Sequence, residues 1–137
     1  MDLFAVLASE RQHLADELDR LTPTQWGRPS LCEGWSNHVV AAHLNLPWSL
    51  APPAFVVGLL RAGGNVDRAM DRFSREMADR LDPQACVELL RANARSRSTP
   101  PGIGVGAPLT DVVVHGADIL RPLGRAPPSI PMPSAVP

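Results

Sequence analysis

Lysine is missing from this 137-residue chain; all thirteen basic residues are arginine. With fourteen acidic residues they leave a net charge of −1, and the pI is near 6.4. Such a balance excludes a global electrostatic attraction to nucleic acid or to an anionic membrane. Cysteine is scarce. Cys32 and Cys86 are too few for a disulfide framework, so a reduced, cytoplasmic setting is expected. The opening Met1-Asp-Leu-Phe lacks the basic-then-apolar pattern of a signal peptide. Long apolar runs are missing too. The most apolar region, Val39 to Leu60, is broken by His43, Asn45, Pro47, Pro52 and Pro53, which argues against a membrane span. No stretch alternates convincingly as a strand, and no internal repeat is present.

What remains is 45% apolar, enough for one globular domain around one core. Its periodicity is helical. Leu3, Leu7, Leu14, Leu18 and Leu21 form a stripe over residues 2–21, with Glu10, Arg11, Asp16, Glu17 and Arg20 covering the rest. Thr22-Pro23-Thr24-Gln25 has capping-box spacing and predicts a single turn ending near Trp26-Gly27. A loop follows from Arg28 to Trp35. Ser36 is the N-cap of a second helix carrying Val39, Val40, Ala42, His43 and Leu46, which Pro47 ends or kinks. Pro52-Pro53 opens a segment to Arg61, closed by Gly63-Gly64. Val66, Met70, Phe73, Met77 and Leu81 mark a third long helix, and Asp82-Pro83 starts a fourth, from about 83 to 95. Residues 96–107 read as loop, 108–123 as the last helix, and the segment from Arg125 onward as a Pro-rich tail, extended or disordered. The expected class is all-α, a four-helix bundle with a long connection.

The chemistry concentrates in three residues. Asp111 and His115 stand four apart, which puts them on one helix face. His43 lies on another helix. Imidazoles and a carboxylate from two helices can converge on a divalent ion inside a bundle, zinc first, with nickel or iron open. Three protein ligands leave positions free, the mark of a catalytic rather than a structural site. From the spacing alone a plainer account is the commoner one. His43 beside Ala41, Ala42 and Leu44 can be a packed histidine, and Asp111/His115 a helical ion pair.

Two blocks then carry a resemblance. Leu31-Cys-Glu-Gly-Trp-Ser, followed by Ala41-Ala-His-Leu44, is similar to the N-terminal metal-binding domain of mycothiol-dependent maleylpyruvate isomerases, of the DinB-like superfamily. The second block is Val113-Val-His-Gly-Ala-Asp-Ile-Leu-Arg-Pro-Leu-Gly124, and Leu21-Thr-Pro-Thr-Gln-Trp26 fits the family's lead-in. The resemblance implies a DinB-like bundle over residues 1–124, with the tail 125–137 truncated relative to the family. It also implies a metal held by a His of the second helix and a Glu-x-x-x-His of the last. His43 and His115 match, and Asp111 stands at the Glu position, one methylene shorter. The implied cofactors are a divalent metal and mycothiol; the implied partners are a small-molecule thiol and an electrophilic substrate.

Among other residues, Arg121 is the candidate catalytic group, placed to hold a substrate carboxylate or else to face the helix dipole and pair with Asp118. Cys32 precedes a helix N-terminus, which favours a thiolate, although a structural place in the loop accounts for it as well. Trp35 is expected to anchor against the first helix, and His38 to be a solvated first-turn residue. Gly116 allows close packing or leaves room beside the metal. Two functions follow: a thiol-dependent isomerase or S-transferase, or a non-catalytic metal-binding or interaction module, a degenerate relative of the family, with a homodimer open.

Overall fold

The structure, a computed structural model, describes residues 2–99 and 104–125. It is all-α. Eight helices occur among the described residues: α1 (Leu3–Leu18), α2 (Pro23–Gly27), α3 (Asn37–His43), α4 (Leu46–Ser49), α5 (Pro52–Arg61), α6 (Val66–Arg80), α7 (Pro83–Ala92) and α8 (Gly106–Leu120). A 3-10 turn, Arg121–Leu123, continues α8. The expected tail lies outside the described residues save for Arg125, as do residues 100–103 of the expected 96–107 loop. No helix among the described residues is long and apolar enough to cross a membrane.

Local chemistry sets most of the helix starts. Asp2, Thr22, Ser36, Asn65 and Asp82 each accept a backbone N–H from the first turn that follows, satisfying donors that a helix start leaves orphaned. The Thr22 cap is reciprocal, since the Gln25 side chain accepts the Thr22 N–H at 3.0 Å. Proline explains the early end of α3. A helix running through Pro47 would set its ring against the His43 carbonyl, so α3 stops at His43 and Pro47 sits in the first turn of α4. At the end of α5, Gly63 and Gly64 take φ of 66° and 80°, and the Gly64 N–H reaches back to the Leu59 carbonyl.

The core forms where α1 meets α7 and α8, and where α3 meets α6, α7 and α8. Leu7, Leu14, Leu18, Val40, Leu90, Ile119 and Leu120 are almost wholly buried, each worth about 1.5–3 kcal/mol of transfer free energy. Two residues expected on the solvent face of α1 are inside it. Glu10 is 7% and Arg11 3% exposed. Arg11 is drawn in because its Nη1 donates to the Ala94 carbonyl at 3.4 Å and the Ser96 carbonyl at 3.0 Å, and its guanidinium lies over the Trp48 ring. Helix α5 buries no residue and leans on α6, with Val56, Val57 and Leu60 exposed.

Candidate metal centre

His43 ends α3, while Asp111 and His115 sit one turn apart on α8. The contact of α3 with α8 closes the 68-residue gap in sequence. The His43 Nε2 lies 3.3 Å from Asp111 Oδ1 and 3.2 Å from Oδ2. The His115 Nε2 lies 3.2 Å from Asp111 Oδ1. The imidazole planes cross at 75° with centroids 4.9 Å apart, so both nitrogens face one carboxylate. One ligand atom from each residue lies within 4.8 Å of the others.

The opposite side of each ring is held. His43 Nδ1 meets the fully buried Ser74 Oγ of α6 at 3.0 Å. His115 Nδ1 meets Asp118 Oδ2 at 3.1 Å. With an ion bound, an Nδ1–H given to Ser74 or Asp118 would set the tautomer and leave Nε2 as the lone-pair donor; without one, Nε2 faces Asp111 as a hydrogen-bond donor. Two ligands about 2.0–2.1 Å from a tetrahedral zinc stand about 3.3 Å apart, which the Nε2–Oδ separations already match. The donor set and its geometry therefore fit a divalent ion.

Electrostatics agree. Burial opposes ionisation of Asp111, but hydrogen bonds from His115 and His43, and their charges, outweigh it and hold the carboxyl well below the usual range. The hydrogen bond to Asp111 raises the His115 imidazole, against burial and with help from the charges of Asp111 and Asp118. Asp111 thus carries the negative charge that a cation requires.

The loop from Arg28 to Ser36 roofs the pair. It is pinned by an isolated bridge of Pro29 with Ser36 and by the Leu31 N–H donating to the Asp118 carbonyl at 3.0 Å. Trp35, expected as an anchor against α1, packs against the core from the rim of the site. Its ring lies over His43 and His115, with centroids at 5.1 and 6.1 Å. Its indole N–H donates to Asp71 Oδ1 at 2.7 Å, Arg75 binds Asp71 in turn, and Arg75 Nη2 donates to the Gly34 carbonyl at 2.7 Å. The tryptophan is thus fixed to α6 by its polar edge. His38 is not solvated either; it is half-buried, 2.6 Å from the Leu81 carbonyl.

Cys32 comes within the same neighbourhood, its sulfur within 4.8 Å of ligand atoms of His115 and Asp118. Burial and the Asp118 and Asp71 carboxylates push this thiol up, so the helix start that follows it does not produce a thiolate. Arg121 is exposed, and its side chain makes no ion pair or hydrogen bond among the described residues, with Asp118 or with the triad. Ser74, Asp118 and Asp71 were not singled out for the site by sequence reasoning. Asp118 could have been found, three residues beyond His115 on one helix face; Ser74 carries no such signal.

The mycothiol maleylpyruvate isomerase N-terminal domain family matches residues 7–99. The chain belongs to this family. The matched span holds Arg11, Trp35, His43 and Ser74, whereas Asp111, His115 and Asp118 lie on α8 beyond it. No curated protein and no solved structure matches the chain.

Proposed function

We propose that this protein is a divalent-metal-binding, mycothiol-dependent isomerase or S-transferase of the maleylpyruvate isomerase type, with His43, Asp111 and His115 as ligands. The observation that carries the reading is the convergence of three donors from α3 and α8, each imidazole held at Nδ1 and turned with Nε2 toward Asp111. Zinc suits the set best, with nickel and iron as alternatives. When bound, such an ion lowers the pKa of a thiol and stabilises it as thiolate. The chain's own residues orient the ligands: Ser74 and Asp118 fix the rings, and Trp35 shields one side from water. Arg121, exposed beyond α8, is free to meet a carboxylate arriving from solvent.

The test is metal content of untagged protein by mass spectrometry, in wild type and in His43→Ala and His115→Ala. One ion per chain, lost in both variants, together with thiol-dependent turnover abolished in His115→Ala, is the expected result. Equal turnover by wild type and His115→Ala would sink the reading. The competing reading, a non-catalytic interaction module, draws on α5, whose exposed Val56, Val57 and Leu60 leave an apolar face open. Concentration-dependent sedimentation without any thiol chemistry would favour it.

A further inference from the structure

Cys32, His115 and Asp118 form a second cluster of donors beside the first. His115 meets Asp118 Oδ2 at 3.1 Å through Nδ1, the nitrogen that does not face Asp111. The Cys32 sulfur lies within 4.8 Å of ligand atoms of both residues. Backbone bonds hold it there. The Cys32 N–H donates to Ser30 Oγ at 3.0 Å, and its carbonyl accepts the Trp35 N–H at 3.1 Å. The Leu31 N–H before it is tied to the Asp118 carbonyl itself. Loop and helix thus keep sulfur, imidazole and carboxylate together. The His115 and Asp118 side chains are 18% and 20% exposed, so the cluster is sheltered yet open to an ion. Thiolate, imidazole and carboxylate are all ligands of zinc, and the sulfur adds a preference for softer ions. Burial, then the Asp118 and Asp71 carboxylates, push the free thiol up. The same two negative charges favour a cation beside it, and a coordinating thiol gives up its proton outright.

We propose that Cys32, His115 Nδ1 and Asp118 form a second cation site, for thiophilic ions, which competes with the first centre for one imidazole. It goes beyond the function proposed above and does not require the first centre to be filled. On binding, the ion bonds to Sγ, Nδ1 and an Asp118 oxygen. The thiol proton and any proton on Nδ1 pass to solvent, while the Nε2–H stays in its hydrogen bond to Asp111. The first centre needs the opposite tautomer, with Nε2 bare and the Nδ1–H given to Asp118. Serving both ions at once would strip the imidazole of both protons. Occupancy of either site therefore weakens the other, by the same factor in each direction. Softness decides between them. The first centre offers only nitrogen and oxygen, whereas the second offers sulfur. A thiophilic ion thus displaces the ion of the first centre without touching His43 or Asp111.

The experiment titrates the full chain with cadmium and follows the ultraviolet charge-transfer absorption of a cadmium–thiolate bond. The wild type should show a saturable band. Cadmium affinity should fall by about 100-fold or more in Cys32→Ser, with the band lost. His115→Ala should lose it as well. Asp111→Asn and His43→Ala, which damage only the first centre, should keep it, and so should Cys86→Ala. Zinc-loaded wild type given cadmium should hold one ion per chain by mass spectrometry, with zinc released. No band in the wild type, or a band that survives Cys32→Ser, overturns the site. A band that survives His115→Ala reduces it to a lone thiol and overturns it equally. Loss of the band in both Asp111→Asn and His43→Ala would place the ion in the first centre, with Cys32 as a further ligand there, and overturn a separate site. Zinc and cadmium bound together would overturn the competition. A cadmium band in a wild type that takes up no zinc, nickel or iron leaves the second site standing and overturns the first centre alone.

Discussion

Replacing Asp111 by asparagine removes a charge and keeps the volume, and in metal-free protein its cost depends on pH in a defined direction. Asp111 accepts from two imidazoles, and hydrogen bonds to charged groups contribute about 1.5–3 kcal/mol each. Its side chain is 37% exposed, so solvent screens the pairs and the expected net loss is about 1–2 kcal/mol where His115 is protonated. The folded His115 pKa is raised above its ordinary 6.5. The stability it contributes is therefore complete below the unfolded value and is lost as pH rises through the folded one. The lowered Asp111 pKa acts in acid: its contribution is complete above the ordinary carboxylate range and fades only as pH falls toward its own value. Asp111→Asn should thus cost most near about pH 6 and clearly less near about pH 8.5. Urea melts in chelator at the two pH values read this directly. A penalty that is equal at both, or larger at the alkaline one, would refute the coupling. Bound metal reverses the slope. Zinc competes with protons for the same nitrogens, so its affinity should climb about tenfold per pH unit for each proton displaced, while His115 remains protonated in the metal-free state.

Two glycines separate packing from propensity. A Cβ on Gly58 would lie 2.2 Å from Phe73 ring atoms, so Gly58→Ala should destabilise by about 1–3 kcal/mol in chemical melts. A Cβ on Gly116 meets Leu14 at an ordinary 3.4 Å, and Gly116→Ala should be neutral or stabilising by up to about 1 kcal/mol; a comparable loss there would show that α8 cannot carry a methyl group against α1. The cysteines should differ in labelling. Burial, then Asp82, pushes the Cys86 thiol up to about 12, so maleimide should modify half-buried Cys32 first and Cys86 only on unfolding, as read by mass spectrometry of digested protein.

Features written into short stretches of sequence were the legible ones. Thr22, Ser36 and Asp82 announce helix starts because each cap accepts from a backbone N–H only three residues along the chain. Asp111 and His115 share a face by helical geometry alone. Even so, helix limits moved where tertiary contacts intervened. The stretch expected to run from 83 to about 95 stops at Ala92, and the Ala94 carbonyl turns to Arg11 instead. Arg11 itself was misread as surface because a charge on an amphipathic helix signals solvent until its partners, 83 and 85 residues away, are known. Ser74 was invisible for a similar reason: it is a small polar residue in a strongly charged helix, and only the packing of α3 on α6 gives it an imidazole. Trp35 was recognisable as an anchor, but its true neighbours are set by one indole hydrogen bond to Asp71 that no pattern encodes.

The run from Arg75 through Asp71 to Trp35 also changes what a surface residue can mean in this protein. An exposed i,i+4 ion pair ordinarily alters global stability by a few tenths of a kcal/mol, and Arg75→Ala should look unremarkable in a melt. Yet that arginine holds both the carboxylate that aims the indole and the Gly34 carbonyl of the roof. Its loss would register as a loosened tryptophan above the two histidines, visible in indole fluorescence and in the spectrum of a bound cobalt. A screen scored on thermal stability alone would classify as dispensable the residue that keeps the ceiling of the site in place.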